Sequence, residues 1–584
     1  MKKISKGFTL VELLAVIAIL AILVIIAIPN VLGMFNNARK KIYNSSTRMI
    51  ISRAENYYVE SSLDFSKTGI DGKTNLFNEV TKNMQGEMPE SGEIYISEKG
   101  LVAVALVYNK TCYIKDFKSS DILETTDIEN CKVTYTDPVL AGADPELDSA
   151  MIPVVYNSNG TISKADTKTE WYNYTNKKWA NAVLVSDETR QDYKSAEAGT
   201  IIEAKDVKAY YVWIPRYKYQ IFTDVNNLEK VGKISDSSAY TNKADIINIT
   251  FENNAVEKSS GSAKDEWLTH PAFTFGSEEL NGIWVGKFET TGTVSNPTVL
   301  AYDSRYIQTT GIKSLRSQNV STQFATSQKI NYGITSLEAS MLKNMEWGAI
   351  AYLTASIYGQ GKNEVMINNS SSYYTGCAAT VAPTTTFGGY RRQTDHTEGY
   401  YEGCENEWHT QAGQKASTTR NMYGIYDMSG GAGEYVMGVM EDAKDSKIPA
   451  SGKNNDYNSG FTGTLTYPND GSDSSITSIT GVTFPNEKYF DIYAYHTSTV
   501  FYENRGHLGD ATYELDGFTN WEDSDGYTRY HSGWNKDYAG FVGRGCPWFL
   551  RGANYPRGAS AGVFAFSCNH GDADGSRSFR SVLR

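Results

Sequence analysis

Residues 2–30 read KKISKGFTLVELLAVIAILAILVIIAIPN. Within them, residues 8–28 form an apolar stretch of 21 residues in which only Thr9 and Glu12 are polar. A helix of about 20 apolar residues is long enough to cross a bilayer. Three lysines precede the stretch, and basic residues in this position stay on the cytoplasmic side of a membrane. The sequence therefore predicts one membrane-spanning helix near the N-terminus.

The charged leader distinguishes this stretch from an ordinary secretory signal. A secretory signal ends its apolar core within about 15 residues and then carries a cleavage site of small residues. Here the basic leader, residues 1–7, ends at Gly7, before the apolar run begins. Cleavage after Gly7 would therefore leave the hydrophobic helix, residues 8–35, on the mature chain.

The segment KGFTLVELL at residues 6–14 resembles the processing site of type IV prepilins and pseudopilins. The resemblance implies that a prepilin peptidase cleaves after Gly7 and methylates the new N-terminal residue, Phe8. It also implies that Glu12 pairs with the N-terminal amine of a neighbouring pilin subunit. A lone carboxylate in an apolar helix is costly unless a partner neutralises it, which agrees with assembly. The alternative is a simple signal anchor with Glu12 near the membrane interface. Pro29 is expected to kink the helix.

Residues 36–136 are predicted to form a small pilin-like domain. The helix can continue toward Tyr58, and strand-like runs follow at residues 92–97 and 101–108. This pattern resembles the long helix of a pilin lying on a small antiparallel sheet.

Residues 137–205 begin with a turn-rich stretch, DPVLAGADP at residues 137–145, that is typical of a linker. Short strand-like runs separated by polar turns follow it. The segment is either a small β module of its own or the entrance to the next domain, and its sequence leaves both alternatives open.

The whole chain has 584 residues, a formal net charge of −12 and 40 tyrosines. This length suggests roughly two to four domains, each able to bury a core. The acidic balance, with no dense basic run after the N-terminus, argues against nucleic acid as the main partner. A tyrosine has an apolar ring and a polar tip, so many of the tyrosines are expected to pack and make contacts in a loop-rich extracellular head, among them Tyr373, Tyr374, Tyr400 and Tyr401.

Residues 206–584 carry several sequence blocks that occur together, in this order, in one known family. The most specific is NMYGIYDMSGGAGEYV at residues 421–436, and SFRSVL at residues 578–583 closes the series. The blocks resemble the formylglycine-generating-enzyme, or sulfatase-modifying-factor, family, which has a C-type lectin-like fold. The resemblance implies an α+β protein in which a large lectin-like head follows the small pilin sheet. The remaining blocks are residues 211–217, 270–273, 282–289 and 344–349.

Charged side chains inside these blocks are predicted to belong to the scaffold. Asp427, Glu434 and Arg580 are expected to satisfy buried hydrogen bonds and charges, because charged groups inside such a fold must be paired. His270 is expected to be a core histidine. One helix is predicted at residues 336–358, where apolar residues recur at four-residue spacing.

The chemistry of the family's enzymes is missing from the motifs. Its copper-dependent oxidases carry two cysteines five positions apart near the C-terminus, because Cu(I) needs a thiolate pair. Residues 551–584 contain only Cys568, and Cys546 is 22 positions away. The sequence also lacks His-Glu-x-x-His, a Walker loop and a Gly-x-Ser-x-Gly elbow. We therefore predict no enzyme activity, no cofactor and no metal site, and we expect the acidic loop at residues 522–525 to be solvated. A secreted enzyme of the sulfatase-modifying kind is the alternative.

Some non-catalytic members of this family are variable proteins of diversity-generating retroelements, in which mutagenesis at adenines rewrites asparagine-type codons. Residues 547–584 resemble such a region, because fixed-looking Gly, Phe and Arg positions alternate with residues that can arise from an asparagine codon. A polar loop that closes the domain is the alternative. The resemblance implies a set of ligand-binding positions: Leu550, Asn554, Arg557, Ala565, Ser567, Cys568, Asn569, His570, Asp572, Asp574, Ser576 and Arg577.

The cysteines are expected to respond to an oxidising compartment. Two pairs are candidate disulfides: Cys112 with Cys131, and Cys377 with Cys404. For the first pair, two buried thiols are the alternative. Cys546 and Cys568 can pair in the same way, although a Cys568 produced by mutagenesis would owe nothing to a disulfide.

These features predict a surface-displayed, pilin-like adhesin that is anchored or polymerised through its prepilin helix. It would bind an extracellular protein or glycan through loops of the C-terminal domain. Its expected partners are the prepilin peptidase, other pilin subunits and the membrane. We expect a single-pass membrane protein before assembly and a cell-surface or filament location afterwards. A structural pseudopilin of a secretion machine, with the head as a spacer, is a further alternative.

Overall fold

The computed structural model shows a mixed α+β chain that divides into two compact units, Met1–Val139 and Leu140–Arg584. Gly7 and Phe8, the predicted processing residues, lie outside the described residues. The structure describes residues 10–63, 69–70, 74–97, 100–115, 117, 122–129, 131–133, 143–167, 171–221, 246–263, 266–305, 312–381, 400–442, 445–449, 459–461, 482–496, 506–512, 519–522, 528–531, 537–543 and 545–584.

The first unit consists of a long helix, a short helix and one antiparallel sheet. Its helices are α1 (Leu10–Leu63) and α2 (Phe77–Thr81). Its strands pair in chain order as β1 (Ser91–Ile96), β2 (Val102–Tyr108), β3 (Thr111–Lys115) and β4 (Leu123–Thr125). Glu12 lies in α1.

Strand β2 has the apolar sequence VAVALVY because both of its faces are covered. Val104 and alternate residues of the strand pack with Ile50 and Ala54 of α1 in one apolar cluster. Ala103 and Ala105 face the other way and pack with Val133 in a second cluster. A strand buried on both faces is expected to be apolar throughout rather than alternating.

The predicted disulfide between Cys112 and Cys131 is confirmed, and it ties β3 to the segment that follows β4.

None of the helices in the described residues has both the length and the hydropathy needed to cross a membrane.

In its described residues the second unit is built mainly from strands, with three helices: α3 (Asp187–Ser195), α4 (Val320–Ser327) and α5 (Asn344–Thr354). Its strands are β5 (Ile152–Tyr156), β6 (Ile162–Lys164), β7 (Asn181–Val185), β8 (Ile201–Ile202), β9 (Val207–Pro215), β10 (Tyr217–Gln220), β11 (Asn248–Phe251), β12 (Leu268–Thr269), β13 (Thr274–Phe275), β14 (Glu278–Glu279), β15 (Gly282–Gly286), β16 (Thr291–Gly292), β17 (Pro297–Thr298), β18 (Ala339–Met341), β19 (Cys377–Ala378), β20 (Asn406–Glu407), β21 (Gly433–Asp442), β22 (Asp445–Pro449), β23 (Asp491–Tyr493), β24 (Thr519–Glu522), β25 (Thr528–His531), β26 (Trp548–Arg551), β27 (Phe566–Asn569), β28 (Arg577–Phe579) and β29 (Ser581–Leu583).

An eight-stranded sheet connects the start of this unit to its end, in the order β18-β29-β15-β9-β7-β5-β6-β8. Strands β5 to β8 come from residues 152–202, which the sequence left open between a separate module and an entrance to the next domain. Their hydrogen bonds continue through β7 into β9, so the segment is part of the larger unit. The compact unit therefore begins at Leu140, whereas the sequence predicted that the C-terminal domain begins at residue 206.

A six-stranded sheet is centred on β21, which carries the last four residues of the motif at residues 421–436. Its path runs β22-β21-β26-β27, and β23 and β28 also pair with β21. β26 runs antiparallel beside Glu434 and Tyr435, while β28 runs parallel beside the same residues. The C-terminal region 547–584 therefore contributes strands to both large sheets.

The helix predicted at residues 336–358 is wrong at its N-terminal end. Residues 339–341 form β18, which pairs with β29, and the helix α5 begins only at Asn344. The backbone N–H of Lys343 donates to Glu346 Oε2 at 2.8 Å, which fixes the start of the helix. Pairing with the C-terminal strand therefore overrides the four-residue apolar spacing.

Candidate ligand-binding site

Two of the predicted ligand-binding positions lie in the core. Leu550 is 3% exposed and Ala565 is 1% exposed. Leu550 lies on β26 opposite Ser567 of β27, and it packs with Tyr435 and Trp548 in an apolar cluster. Neither side chain can contact an external ligand, so the prediction is wrong for these two residues.

Cys568, another predicted ligand-binding position, forms the disulfide with Cys546 that the sequence allowed. The disulfide ties β27 to the chain just before β26, and as a disulfide the pair offers no thiolate to Cu(I). Its neighbours Ser567 and Asn569 are partly exposed, and His570 is exposed. The predicted disulfide between Cys377 and Cys404 is confirmed.

Asp572, Asp574 and Ser576 are partly exposed and lie in a turn before β28. The Tyr435 hydroxyl donates to the backbone oxygen of Asp572 at 3.1 Å. Asp574 Oδ1 accepts from the Ser576 backbone at 2.7 Å and from the Ser576 hydroxyl at 2.6 Å. Burial would raise the pKa of Asp574, but Arg577, the Ser576 bonds and Arg316 together hold it below its ordinary value.

We call the C-terminal region 547–584 the tail. Asn554 and Arg557 are partly exposed near its N-terminal end. Between them, Tyr555 starts a short 3₁₀ helix, Tyr555–Ser560, and its backbone N–H donates to the backbone oxygen of Gly431, in the motif at residues 421–436, at 3.0 Å. The Tyr400 hydroxyl donates to the Pro556 backbone oxygen at 3.2 Å. The segment is therefore held in place from both sides.

Tyrosine rings connect the two ends of the tail. The ring centroids of Tyr373 and Tyr555 are 5.1 Å apart, and those of Tyr400 and Tyr555 are 5.2 Å apart, with both pairs edge to face. The guanidinium carbon of Arg316 lies 4.0 Å from the centroid of the Tyr373 ring. Arg316 Nη1 also donates to the Gly575 backbone oxygen. We call this set the tyrosine–arginine face: Arg316, Tyr373, Tyr400, Tyr555 and Arg577.

Arg577 completes the face on the side of β28. Its Nη1 donates to the Ser576 hydroxyl at 2.8 Å, and its charge, with that of Arg316, acts on the Tyr373 hydroxyl. Burial raises the pKa of Tyr373, and the neighbouring Tyr555 adds to the rise, so the phenol remains protonated. The face therefore presents two cations and neutral aromatic rings.

Tyr373 has a backbone φ of +59°, a left-handed conformation that a side chain with a β-carbon rarely adopts. The conformation is held by hydrogen bonds on both sides, from Tyr373 N to Ser370 O at 3.0 Å and from Ser314 N to Tyr373 O at 2.9 Å. Such strain persists only where the surrounding structure fixes it, and it concentrates at functional sites.

Sequence reasoning identified Tyr373, Tyr400 and Arg577 as contact residues but missed Arg316. Arg316 lies 261 positions before Arg577, in a segment with no recognisable motif. Nothing in the local sequence could have identified it, because its role depends on the turn at Gly575 that the fold brings against it.

The predicted scaffold charges are buried and paired. Arg580 Nη2 and Nε donate to the two Glu434 carboxylate oxygens at 2.5 and 3.1 Å, and Nη1 donates to the Gly286 backbone at 2.8 Å. Asp427 accepts from Asn368 Nδ2 and from the Gly376 backbone, both at 2.8 Å.

Glu289 adds a third carboxylate to this cluster. Its Oε1 accepts from the Ala432 backbone at 3.1 Å. Burial, and then repulsion from Glu434 and Asp427, raise the pKa of Glu289 well above its ordinary value. Burial also raises the pKa of Glu434 to about 7, although Arg580 opposes the rise. These groups stabilise the fold from inside and are out of reach of a ligand.

His270 is fully buried, as expected of a core histidine. Its Nδ1 accepts from the Ala272 backbone at 3.2 Å, and aromatic rings surround it, including Tyr217 and Phe273. Burial lowers its pKa to about 3, so the imidazole is neutral and carries no general acid or base role near neutral pH.

One group of side chains offers ligand atoms of the kind that bind metals. One atom each of Asp303, Glu407 and His409 lies within 4.8 Å of the others. Arg305 already donates to both Asp303 oxygens, with Nε at 2.8 and 3.1 Å. A cation would have to displace this guanidinium, so the group is in the first place an ion pair.

Comparison with known families concerns the N-terminus. Residues 2–28 match the family model described as Prokaryotic N-terminal methylation motif. The chain carries a type IV prepilin-like leader. Such a motif implies processing by a prepilin peptidase and assembly with other pilin subunits, and it indicates a pilin-like surface or secretion-system protein. A comparison with curated protein sequences gave no match to the chain.

Proposed function

We propose that the protein is a pilin-like adhesin whose second unit binds an extracellular ligand through the tyrosine–arginine face. The prepilin-like leader supports export and assembly, with residues 8–28 serving as the membrane helix before assembly. The 445 residues from Leu140 to Arg584 would crowd a close-packed filament if every subunit carried them, which favours a minor or tip subunit.

The tyrosine–arginine face is the observation that carries the binding proposal. It combines aromatic rings, two guanidinium groups and a strained backbone on one side of the unit. Tyr401, next to Tyr400, is 47% exposed and extends the aromatic surface. Tyrosine and arginine supply most of the binding energy in many protein interfaces and paratopes.

Substitutions on this surface test the proposal in the intact chain. Cells that display Tyr400→Ala or Tyr401→Ala would be compared with wild-type cells for binding to arrays of extracellular proteins and glycans. Contact residues of this kind are worth more than about 1 kcal/mol, so binding is expected to fall at least about fivefold. Ile201→Ala is the control, because Ile201 is 53% exposed on β8 at the edge of the other large sheet. Equal binding by wild-type cells and by a head-deleted strain would overturn the proposal.

We further propose that the exposed part of the tail is a variable region of a diversity-generating retroelement. Four residues support this second proposal, because each can arise from an asparagine codon and each is at least partly exposed: Asn554, Arg557, Asn569 and His570. Leu550 and Ala565 do not belong to the set, since both are buried. A reverse-transcriptase gene beside a near-copy of the last hundred or so bases, differing mainly at adenines, is the expected genomic arrangement; its absence would refute this part.

A further inference from the structure

Arg316 and Arg577 form no ion pair among the described residues. In the part of the chain that the structure describes, neither guanidinium lies within ion-pair distance of an Asp or Glu. By contrast, the buried arginines Arg580 and Arg584 each hold a glutamate. The Nε atoms of Arg316 and Arg577 are buried and have no hydrogen-bond acceptor. These Nε atoms are out of reach of a ligand. The Nη2 atoms of both arginines are not buried and donate no hydrogen bond within the described residues, so they are the donors open to an external acceptor.

Two carboxylates of the chain act on these arginines without forming an ion pair with them. Arg577 and Arg316 both lower the pKa of Asp574, whose Oδ1 accepts both Ser576 bonds, and Arg577 also acts on Asp572. The arginine donors that these carboxylates leave unbonded can take a carboxylate of a short acidic segment. The formal net charge of −12 on the chain repels long polyanions such as nucleic acids.

The packing of the rings favours carboxylate side chains over sugars. Sugar rings stack on open aromatic faces, but Arg316 covers the face of Tyr373 at 4.0 Å. Tyr555 is 6% exposed, so its ring is also closed to stacking. The rings instead hold the guanidinium plane, and a fixed guanidinium fork matches the geometry of a carboxylate.

We propose that the tyrosine–arginine face binds acidic peptide segments, with Arg316 and Arg577 each donating to an Asp or Glu side chain of the ligand. This inference rests on the proposed binding function and names its ligand class. Tyr373 orients Arg316 through ring contact and does not itself bind the carboxylate.

The test uses the full-length chain in detergent and a fluorescent peptide of ten glutamates, with a peptide of ten glutamines as the uncharged control. Wild-type protein is expected to bind the glutamate peptide at least tenfold more tightly than the glutamine peptide. Arg316→Ala and Arg577→Ala are each expected to weaken binding by about tenfold or more, because each removes charge-assisted hydrogen bonds. Arg316→Lys keeps the charge but loses the fork, so its affinity is expected to fall between those of wild type and Arg316→Ala.

Arg420→Ala is the matched control, because Arg420 is an exposed arginine of the same unit that lies outside the tyrosine–arginine face. It is expected to bind the peptide as wild type does. Unchanged thermal unfolding of each variant shows that lost binding is not lost folding.

Three results would overturn the inference: equal affinity for the two peptides, unchanged affinity in both alanine variants, or binding of polygalacturonate in place of the glutamate peptide. If the peptide fails while Tyr401→Ala still lowers binding on the arrays, only the ligand class is wrong. If neither peptide binding nor binding on the arrays depends on residues of the tyrosine–arginine face, the proposed binding function and the proposed ligand class are both wrong.

Discussion

Glu289 shows at the scale of one residue how the core of the second unit responds to pH. It is fully buried beside Asp427 and Glu434, and Arg580 is the one cation that bonds to this carboxylate cluster in the described residues. Burial raises the pKa values of all three carboxyl groups, to about 7 for Glu434. The folded state therefore holds protons that the unfolded chain releases at lower pH.

The sign of the pH dependence follows from these raised pKa values. The stabilisation from their protonation is complete below the unfolded pKa of about 4.5. It is lost progressively as the pH rises above that value, through about 7 in the case of Glu434. Glu289→Gln keeps the acceptor for Ala432 N–H but cannot ionise. At pH 8 we therefore expect the variant to have a higher free energy of unfolding than wild type.

Urea unfolding of wild type and Glu289→Gln between pH 4.5 and 8 measures this effect. The two curves should converge at the acidic end and separate progressively as the pH rises above the unfolded pKa of about 4.5. Glu197→Gln, at an exposed position, should follow wild type throughout. A Glu289→Gln curve that runs parallel to wild type would show that Glu289 does not titrate in this range.

At the scale of an element, strand β29 shows what local sequence can and cannot predict. The apolar runs at residues 92–97 and 101–108 correspond to β1 and β2, which pair with each other across a short turn. The helix predicted at residues 336–358 lost its first part to β18, which pairs with residues about 240 positions away. Leu550 and Ala565 were misassigned for a related reason, because burial depends on partners that the tail does not contain.

Leu583→Ala tests how much the second unit depends on β29. Leu583 is fully buried, and β29 lies between β18 and β15, where Leu583 pairs with Ala339 and Trp284. Removing a buried leucine side chain costs about 2–5 kcal/mol, so thermal or urea unfolding should shift accordingly. Ile201→Ala, at an exposed strand position, should change stability by less than about 0.5 kcal/mol.

A second prediction for this region concerns the disulfide between Cys546 and Cys568. It closes a loop with a sequence separation of 22, for which a contribution of about 3 kcal/mol is expected. Cys568→Ser should lower the free energy of unfolding by that order under oxidising conditions. In a strong reductant the variant and wild type should become similar; a difference that persists there would assign the loss to packing around Cys568 instead.

At the scale of the whole molecule, the leader determines where the second unit is displayed. Residues 2–28 match the N-terminal methylation motif, and Gly7 is the residue after which cleavage is expected. Gly7→Ala places a β-carbon at the cleaved bond, so the full-length precursor should accumulate in the membrane. Mass spectrometry of wild type should instead show a chain that begins with methylated Phe8.

Glu12→Gln separates processing from assembly. The variant keeps the cleavage site but removes the charge that is expected to pair with the amine of a neighbouring subunit, and an unpaired amine in an apolar environment is costly. Cleaved and methylated chain should therefore appear in the membrane at wild-type levels, while its amount in sheared surface filaments falls at least about tenfold. Wild-type amounts of Glu12→Gln in the filaments would show that assembly does not depend on this charge. The chain would then be held by its apolar helix alone, as a simple signal anchor would be.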